Sequence, residues 1–230
     1  MLGFEGRTVL ITGANGGLGR AVTKAFLDAG AVVTGVYRRG PAPVENERFS
    51  GLEADVSTPE GAAAAVRHAL NRTGRLDALV HLVGGFAGGN PVAETSDSVW
   101  KQMLDVNLNA AFYTIRAALP SMLGSGRGRI VAVGSRTGVE PAAGLAAYGV
   151  SKAALVALVR TVALEVKHTG VTANAVMPSI IDTPANRAAN PKADYSQWVK
   201  PESIASLILW LASDAAADVN GAVIPIYGKA

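Results

Sequence analysis

Short β-branched apolar runs bounded by Gly, Pro or Asp recur along the chain, with helix-like stretches between them, and no other feature limits the possible folds as tightly. The runs cover residues 8–12, 32–37, 78–83, 129–134, 171–177 and 222–226. Each reads as a buried strand, apolar on both faces. Residues 18–29, 59–71, 98–123, 146–168 and 202–213 carry apolar side chains at three- and four-residue spacing, as helices with a buried stripe do. Residues 52–56 add a seventh strand. This alternation predicts an α/β fold, one doubly wound parallel sheet covered by helices on both faces.

A chain of 230 residues can bury roughly 70% of its unfolded surface without a metal or disulfide staple. No linker, charge block or repeat divides it, so residues 1–230 are expected to form one domain. Residues 184–200 are polar, proline-punctuated and long for a connection, which marks a loop on the substrate side. The chain has no cysteine, which excludes a thiol nucleophile and a disulfide scaffold. His68, His81 and His168 are too scattered for a metal site. The net charge of +3 comes without a Lys/Arg run, so neither nucleic acid nor a membrane surface is an expected partner. No signal-peptide pattern opens the chain. The most apolar segments are short or interrupted by Arg160 and Glu165, so a cytoplasmic location is expected.

After the first strand comes Thr12-Gly13-Ala14-Asn15-Gly16-Gly17-Leu18-Gly19, leading into a helix. Glycines there allow a tight turn and a close backbone approach, and a helix N-terminus offers free N–H groups to phosphate. That placement points to a dinucleotide, held by Gly13, Asn15, Gly16, Gly17, Leu18 and Gly19. The second strand ends at Tyr37-Arg38-Arg39, where a carboxylate would accept from a ribose 2′-hydroxyl. Two guanidiniums suited to a 2′-phosphate stand there instead, which favours NADP(H) while leaving NAD(H) possible. The plainer reading makes Arg38 and Arg39 solvated loop residues.

Tyr148 and Lys152 are spaced i, i+4 at the start of a helix, on one face. An ammonium beside a phenol lowers its pKa from about 10 toward working pH, as a general acid for a carbonyl oxygen requires. Ser135 follows a strand end on the same sheet edge as the glycine turn, and Asn107 lies in the preceding helix. Taken singly, Ser135 could cap a turn, Asn107 could be a buried polar residue and Tyr148 could be packing.

Together, Thr12-Gly-x-x-x-Gly17-x-Gly19, Asn107, Ser135 and Tyr148-x-x-x-Lys152 resemble the short-chain dehydrogenase/reductase family over essentially the whole chain. The resemblance implies a Rossmann-type sheet and a catalytic tetrad. In it Tyr148 is acid/base, Ser135 holds the substrate oxygen, Lys152 binds the nicotinamide ribose and Asn107 holds a relay water. It also implies that Asp55 and Val56 abut the adenine, and that Val83, Gly84, Pro178, Ile181 and Thr183 lie along the nicotinamide end.

His81-Leu82-Val83-Gly84 stands where the family usually has Asn-Asn-Ala-Gly, and His81 reads as a strand residue with a satisfied ring. The segments around Gly84–Asn90 and Asp182–Trp198 are similar to dihydropteridine reductase, which points to Phe86 and Trp198 as substrate residues. Ser135 and the absence of an acidic residue at Tyr37 argue against a simple transfer. The expected activity is therefore hydride transfer between a nicotinamide and a carbonyl or alcohol carbon of a small molecule. Reduction of a quinonoid pterin, reduction of a 3-oxoacyl thioester and a non-catalytic dinucleotide sensor are the alternatives. Helices 98–123 and 146–168 are apolar nearly all round, which calls for cover from a second copy; in the family such helices form dimers, commonly within homotetramers.

Overall fold

The computed structural model describes residues 3–229. Seven parallel strands form one sheet in the order β3-β2-β1-β4-β5-β6-β7. They are β1 (Thr8–Thr12), β2 (Val32–Tyr37), β3 (Phe49–Glu53), β4 (Ala78–His81), β5 (Gly128–Val133), β6 (Val171–Pro178) and β7 (Val223–Ile226). The order reverses between β1 and β4, so the chain leaves those two strands in opposite directions and opens a crevice at their carboxyl ends. Register sets the depth of that edge: Thr12 pairs with Val36 and with His81, and His81 pairs with Ala132.

Side chains alternate between two apolar layers. Leu10, Leu79, Ile130 and Ala175 meet α2 (Pro59–Thr73), α4 (Ala110–Ser125) and α5 (Ala146–Glu165). Val9, Ile11, Val80 and Val131 meet α1 (Gly17–Asp28) and α7 (Pro201–Leu211). The central strands β1, β4, β5 and β6 are buried at every position, as two-sided cover demands. Truncating a fully buried side chain such as Leu155 to Ala costs about 2–5 kcal/mol. α5 is long and apolar enough to cross a bilayer by composition, yet Leu155, Val159 and Val162 bury its inner side in this core.

Three expectations are corrected. The seventh strand spans Phe49–Glu53 rather than 52–56. Its pairing with β2 ends at Glu53, and Asp55 then turns the chain by accepting from the Ser57 N–H and hydroxyl. The helix read across 98–123 is α3 (Asp97–Leu104), a π-helical turn (Asp105–Asn109) and α4, because one extra residue widens the helix at Asn107. The segment 184–200 is not structureless. It holds α6 (Pro184–Ala189), started by Thr183 accepting from the Asn186 N–H at 3.3 Å, and a 3-10 turn (Tyr195–Gln197).

Candidate active site

The glycine turn joins β1 to α1 at the crevice. Gly13 sits at φ +72°, a conformation other L-residues rarely adopt. A Cβ on Gly19 would lie 2.0 Å from the Gly13 carbonyl oxygen, so α1 starts against its own turn only because both residues lack side chains. The Asn15 amide does not face outward: it donates to the carbonyls of Arg39 (2.8 Å) and Pro41 (3.4 Å). Arg20 adds a bond to the Pro43 carbonyl. The chain after β2 is thereby pinned over the turn.

From this turn a cavity of about 690 Å³ runs along the sheet edge, lined by Gly13, Gly16, Tyr37, Arg38, Asp55, Val56, Val83, Gly84 and Phe86 among others. Its volume suits a ligand of cofactor size. Arg38 and Arg39 are exposed. The Tyr37 hydroxyl turns back to β3, where a Cβ on Gly51 would meet it at 2.5 Å. Hydrogen bonds from Ser57, and the nearby charge of Arg38, hold the Asp55 carboxyl below its ordinary pKa. Thr183 is buried at the far side of the turn, against Gly17. Pro178 ends β6, and Ile181 bridges to Val199.

At the other end of the cavity the sheet edge is crowded with polar side chains. Ser135 follows β5 and accepts from the Thr137 N–H at 3.3 Å, so it does cap a turn, and it lies close enough to Tyr148 to pull the phenol pKa down. Tyr148 and Lys152 project one helical turn apart from α5. Lys152 is buried and donates to the Val133 carbonyl at 3.1 Å. Asn107 is wholly buried in the π-helical turn. It clamps Gly85 from both sides, accepting its N–H at 2.9 Å and donating to its carbonyl at 3.1 Å. Its amide also donates to the Ser151 hydroxyl at 3.0 Å, and that hydroxyl donates to the Tyr148 carbonyl. Sequence reasoning missed Ser151, although its place between Tyr148 and Lys152 puts it on the inward face.

Protonation differs from the expectation that Lys152 drags the Tyr148 pKa down. Burial raises the Tyr148 pKa, and only the Ser135 hydrogen bond opposes it. Lys152 itself is lowered to about 8 by burial. Desolvation penalises both charged forms, so one turn of α5 carries a phenol that keeps its proton and an ammonium that gives its proton up readily.

Phe86 is 66% exposed and sits edge-on to the Tyr148 ring with centroids 5.0 Å apart. It divides the cavity above from a second hollow of about 440 Å³ that reaches Asn90, Glu94 and Ala146. Trp198, expected at the substrate, is 8% exposed and stacks on Tyr195. The aromatic pair packs the 184–200 segment on itself.

The sequence model of the family described as short chain dehydrogenase matches residues 7–194. A galactitol 2-dehydrogenase of Rhizobium johnstonii is 34% identical, the alignment covering 97% of this chain and 94% of that protein. A 3-oxoacyl-(acyl-carrier-protein) reductase of Vibrio cholerae is 29% identical over 99% of this chain and 98% of its own length. Among solved structures, a short-chain type dehydrogenase/reductase from Mycobacterium ulcerans superposes with a TM-score of 0.92 at 28% identity, covering 99% of this chain and 90% of that one.

Proposed function

This chain belongs to the short-chain dehydrogenase family and is an oxidoreductase of the NAD(P)-binding kind, and from that membership we propose that it reduces a carbonyl group of a small molecule with Tyr148 as proton donor. The observation that carries the reading is that Lys152 stands beside Gly84 and Tyr148 beside Phe86, two residues that line the glycine-lined cavity, with Ser135 next to Tyr148. The cavity fits a dinucleotide. The N–H groups of Gly13, Ala14 and Gly16 are spent on the Val36 and Gly13 carbonyls, so a phosphate would meet the first turn of α1 from Gly17 onward, where a helix N-terminus offers N–H groups, and Val83 and Gly84 line the end toward Lys152. When bound, the nicotinamide supplies the hydride.

The side chains do the rest. Ser135 holds the substrate oxygen and orients it to the phenol. Tyr148 keeps its proton at neutral pH because burial raises its pKa, so the resting site is loaded for reduction and must lose a proton to run the other way. Lys152, at about 8, is poised to replace the proton that Tyr148 gives up. The Asn107 amide is already spent on Gly85 and Ser151, so a relay water would rest on the loosened main chain of the π-helical turn.

NADP(H) is the proposed cofactor because Arg38 lines the cavity where a carboxylate would otherwise select NAD(H). Residues 1–230 act as one domain, with 184–200 as its substrate-side wall and Phe86 touching the substrate. Trp100, Phe112, Val150 and Leu164 are exposed on α3, α4 and α5, which favours a homodimer or homotetramer in the cytoplasm. Sedimentation of a monomer at micromolar concentration would refute the assembly.

The deciding experiment follows NADPH oxidation with ketones, sugar ketones, 3-oxoacyl thioesters, steroids, quinones and quinonoid pterins, then repeats it with NADH. Phe86 stacked on Tyr148 favours a planar or apolar group beside the carbonyl. Far faster turnover of a quinonoid pterin than of every ketone or thioester would move the assignment to pterin reduction.

A further inference from the structure

Ser151 lies on α5 between Tyr148 and Lys152 and is wholly buried. Its hydroxyl donates to the Tyr148 carbonyl at 2.7 Å, a local helix contact that a serine makes readily. What sets it apart is the other side of the oxygen, which accepts an Asn107 Nδ2 hydrogen at 3.0 Å. Asn107 is equally buried. One hydrogen of its amide goes to Ser151 and the other to the Gly85 carbonyl at 3.1 Å, while Met103 Sδ, at 3.7 Å, offers a weak acceptor. Oδ1 is left to accept the Gly85 N–H at 2.9 Å.

These bonds run in one direction. The Ser151 hydrogen is spent on a carbonyl, so toward Asn107 the hydroxyl can act only as acceptor. A flipped Asn107 amide would aim its oxygen at the Ser151 lone pair and its hydrogens at the Gly85 N–H. The residue after Gly85 closes the circuit, because Phe86 packs edge-on against the Tyr148 ring with centroids 5.0 Å apart. Gly85, Asn107, Ser151, Tyr148 and Phe86 thus form one loop of contacts. Farther along, the Gly89 N–H donates to the Gly144 carbonyl at 2.8 Å, so loss of the Ser151 hydroxyl would loosen Gly85 and Phe86 without detaching their segment.

We infer that Ser151 is a positioning residue: by fixing the orientation of the Asn107 amide it holds Gly85, and through Gly85 it sets Phe86 against Tyr148 where the substrate carbonyl docks. The inference rests on the roles given above to Tyr148 and Phe86. Ser151 itself moves no proton, since its hydroxyl stays on the Tyr148 carbonyl.

Ser151→Ala leaves one Asn107 hydrogen without its acceptor in a dry site, and Ser151→Thr keeps the hydroxyl. Amide exchange of Gly85, followed by NMR without cofactor, reads the clamp directly. It should speed up about tenfold in Ser151→Ala and return toward the wild-type rate in Ser151→Thr, while the Leu79 and Val131 amides of the sheet keep theirs. Turnover gives the second reading. Phe86→Ala and Ser151→Ala should each lower kcat/KM for a ketone, and the double variant should match Phe86→Ala alone, because both act through one wall. Additive losses overturn the proposal. So do a Gly85 exchange rate that Ser151→Ala leaves unmoved, one that rises only together with the whole sheet, and equal rates in the Ala and Thr variants. In the wild type, a Gly85 amide that exchanges as freely as an unbonded loop amide overturns it whether or not the variants fold. A wild-type chain inactive toward every carbonyl would remove the catalytic reading and leave the exchange result standing.

Discussion

The two ends of the cavity are built from different materials. At the β1–β2 end the groove is main chain: glycines without side chains, an N-terminus of α1, and Asn15 and Arg20 spent on carbonyls of residues 39–43. At the β4–β5 end it is side chain: Asn107, Ser151, Lys152 and His81, buried and with few spare hydrogen bonds. The first end fails when atoms are added, because glycine leaves no room. The second fails when atoms are removed or protons moved, because low dielectric makes every unpaired group expensive.

The largest effect should come from the side-chain end. Tyr148→Phe removes the proton donor and should lower kcat about 10³-fold or more while NADPH still quenches or enhances protein fluorescence at similar concentration; retained turnover would show that the proton comes from elsewhere. Acid should strike the same end. His81 folds with a pKa of about 3 against 6.5 when exposed, so the unfolded chain binds a proton that the folded chain refuses. Its contribution to stability is intact above about pH 6.5 and is lost as pH falls toward 3, at up to about 1.4 kcal/mol per pH unit. Urea midpoints measured across that window should fall more steeply than in His81→Asn, and parallel slopes would contradict the assignment.

The main-chain end should answer to an addition. Gly19→Ala places its methyl carbon against the Gly13 carbonyl and should cost about 1–3 kcal/mol with a matching loss of dinucleotide affinity; calorimetry and NADPH titration read both. Arg38→Ala should raise KM for NADPH about tenfold and leave NADH nearly unchanged, an effect of one charge-assisted contact. Equal changes for both cofactors would show that Arg38 does not meet a 2′-phosphate. Away from both ends, Lys24→Ala breaks an exposed pair with Asp28 one turn along α1 and should shift the urea midpoint by no more than about 0.5 kcal/mol.

The fold was legible because alternating strand and helix periods leave one economical arrangement, and the six strand positions read from apolar runs agree with the structure to within a residue or two. β3 was read three residues late. As an edge strand it is only half buried, so Phe49-Ser50-Gly51-Leu52-Glu53 carries no continuous apolar run. The π-helical turn at Asp105–Asn109 escaped notice because the stripe on either side of it keeps helical spacing. Trp198 was read as a substrate residue from the likeness of its segment to dihydropteridine reductase; in the structure Thr183 starts a helix in that segment and Tyr195 covers the indole.

Spacing alone determined the sheet, the glycine turn, the Ser135 position on the same edge and the Tyr148–Lys152 pair on one helix face, because strand ends in a parallel sheet gather on one side whatever the details of packing; the family likeness is what joined Ser135 to that pair. Only the tertiary structure decided how those groups hold their protons. Burial raises the pKa of Tyr148 and lowers those of Lys152 and His81, and burial depends on which distant segments close over a residue. It likewise decided that Asn107 is a clamp on Gly85 and that His81 Nδ1 meets the Thr12 hydroxyl, since hydrogen-bond geometry at ångström scale is set by register between elements far apart in the chain.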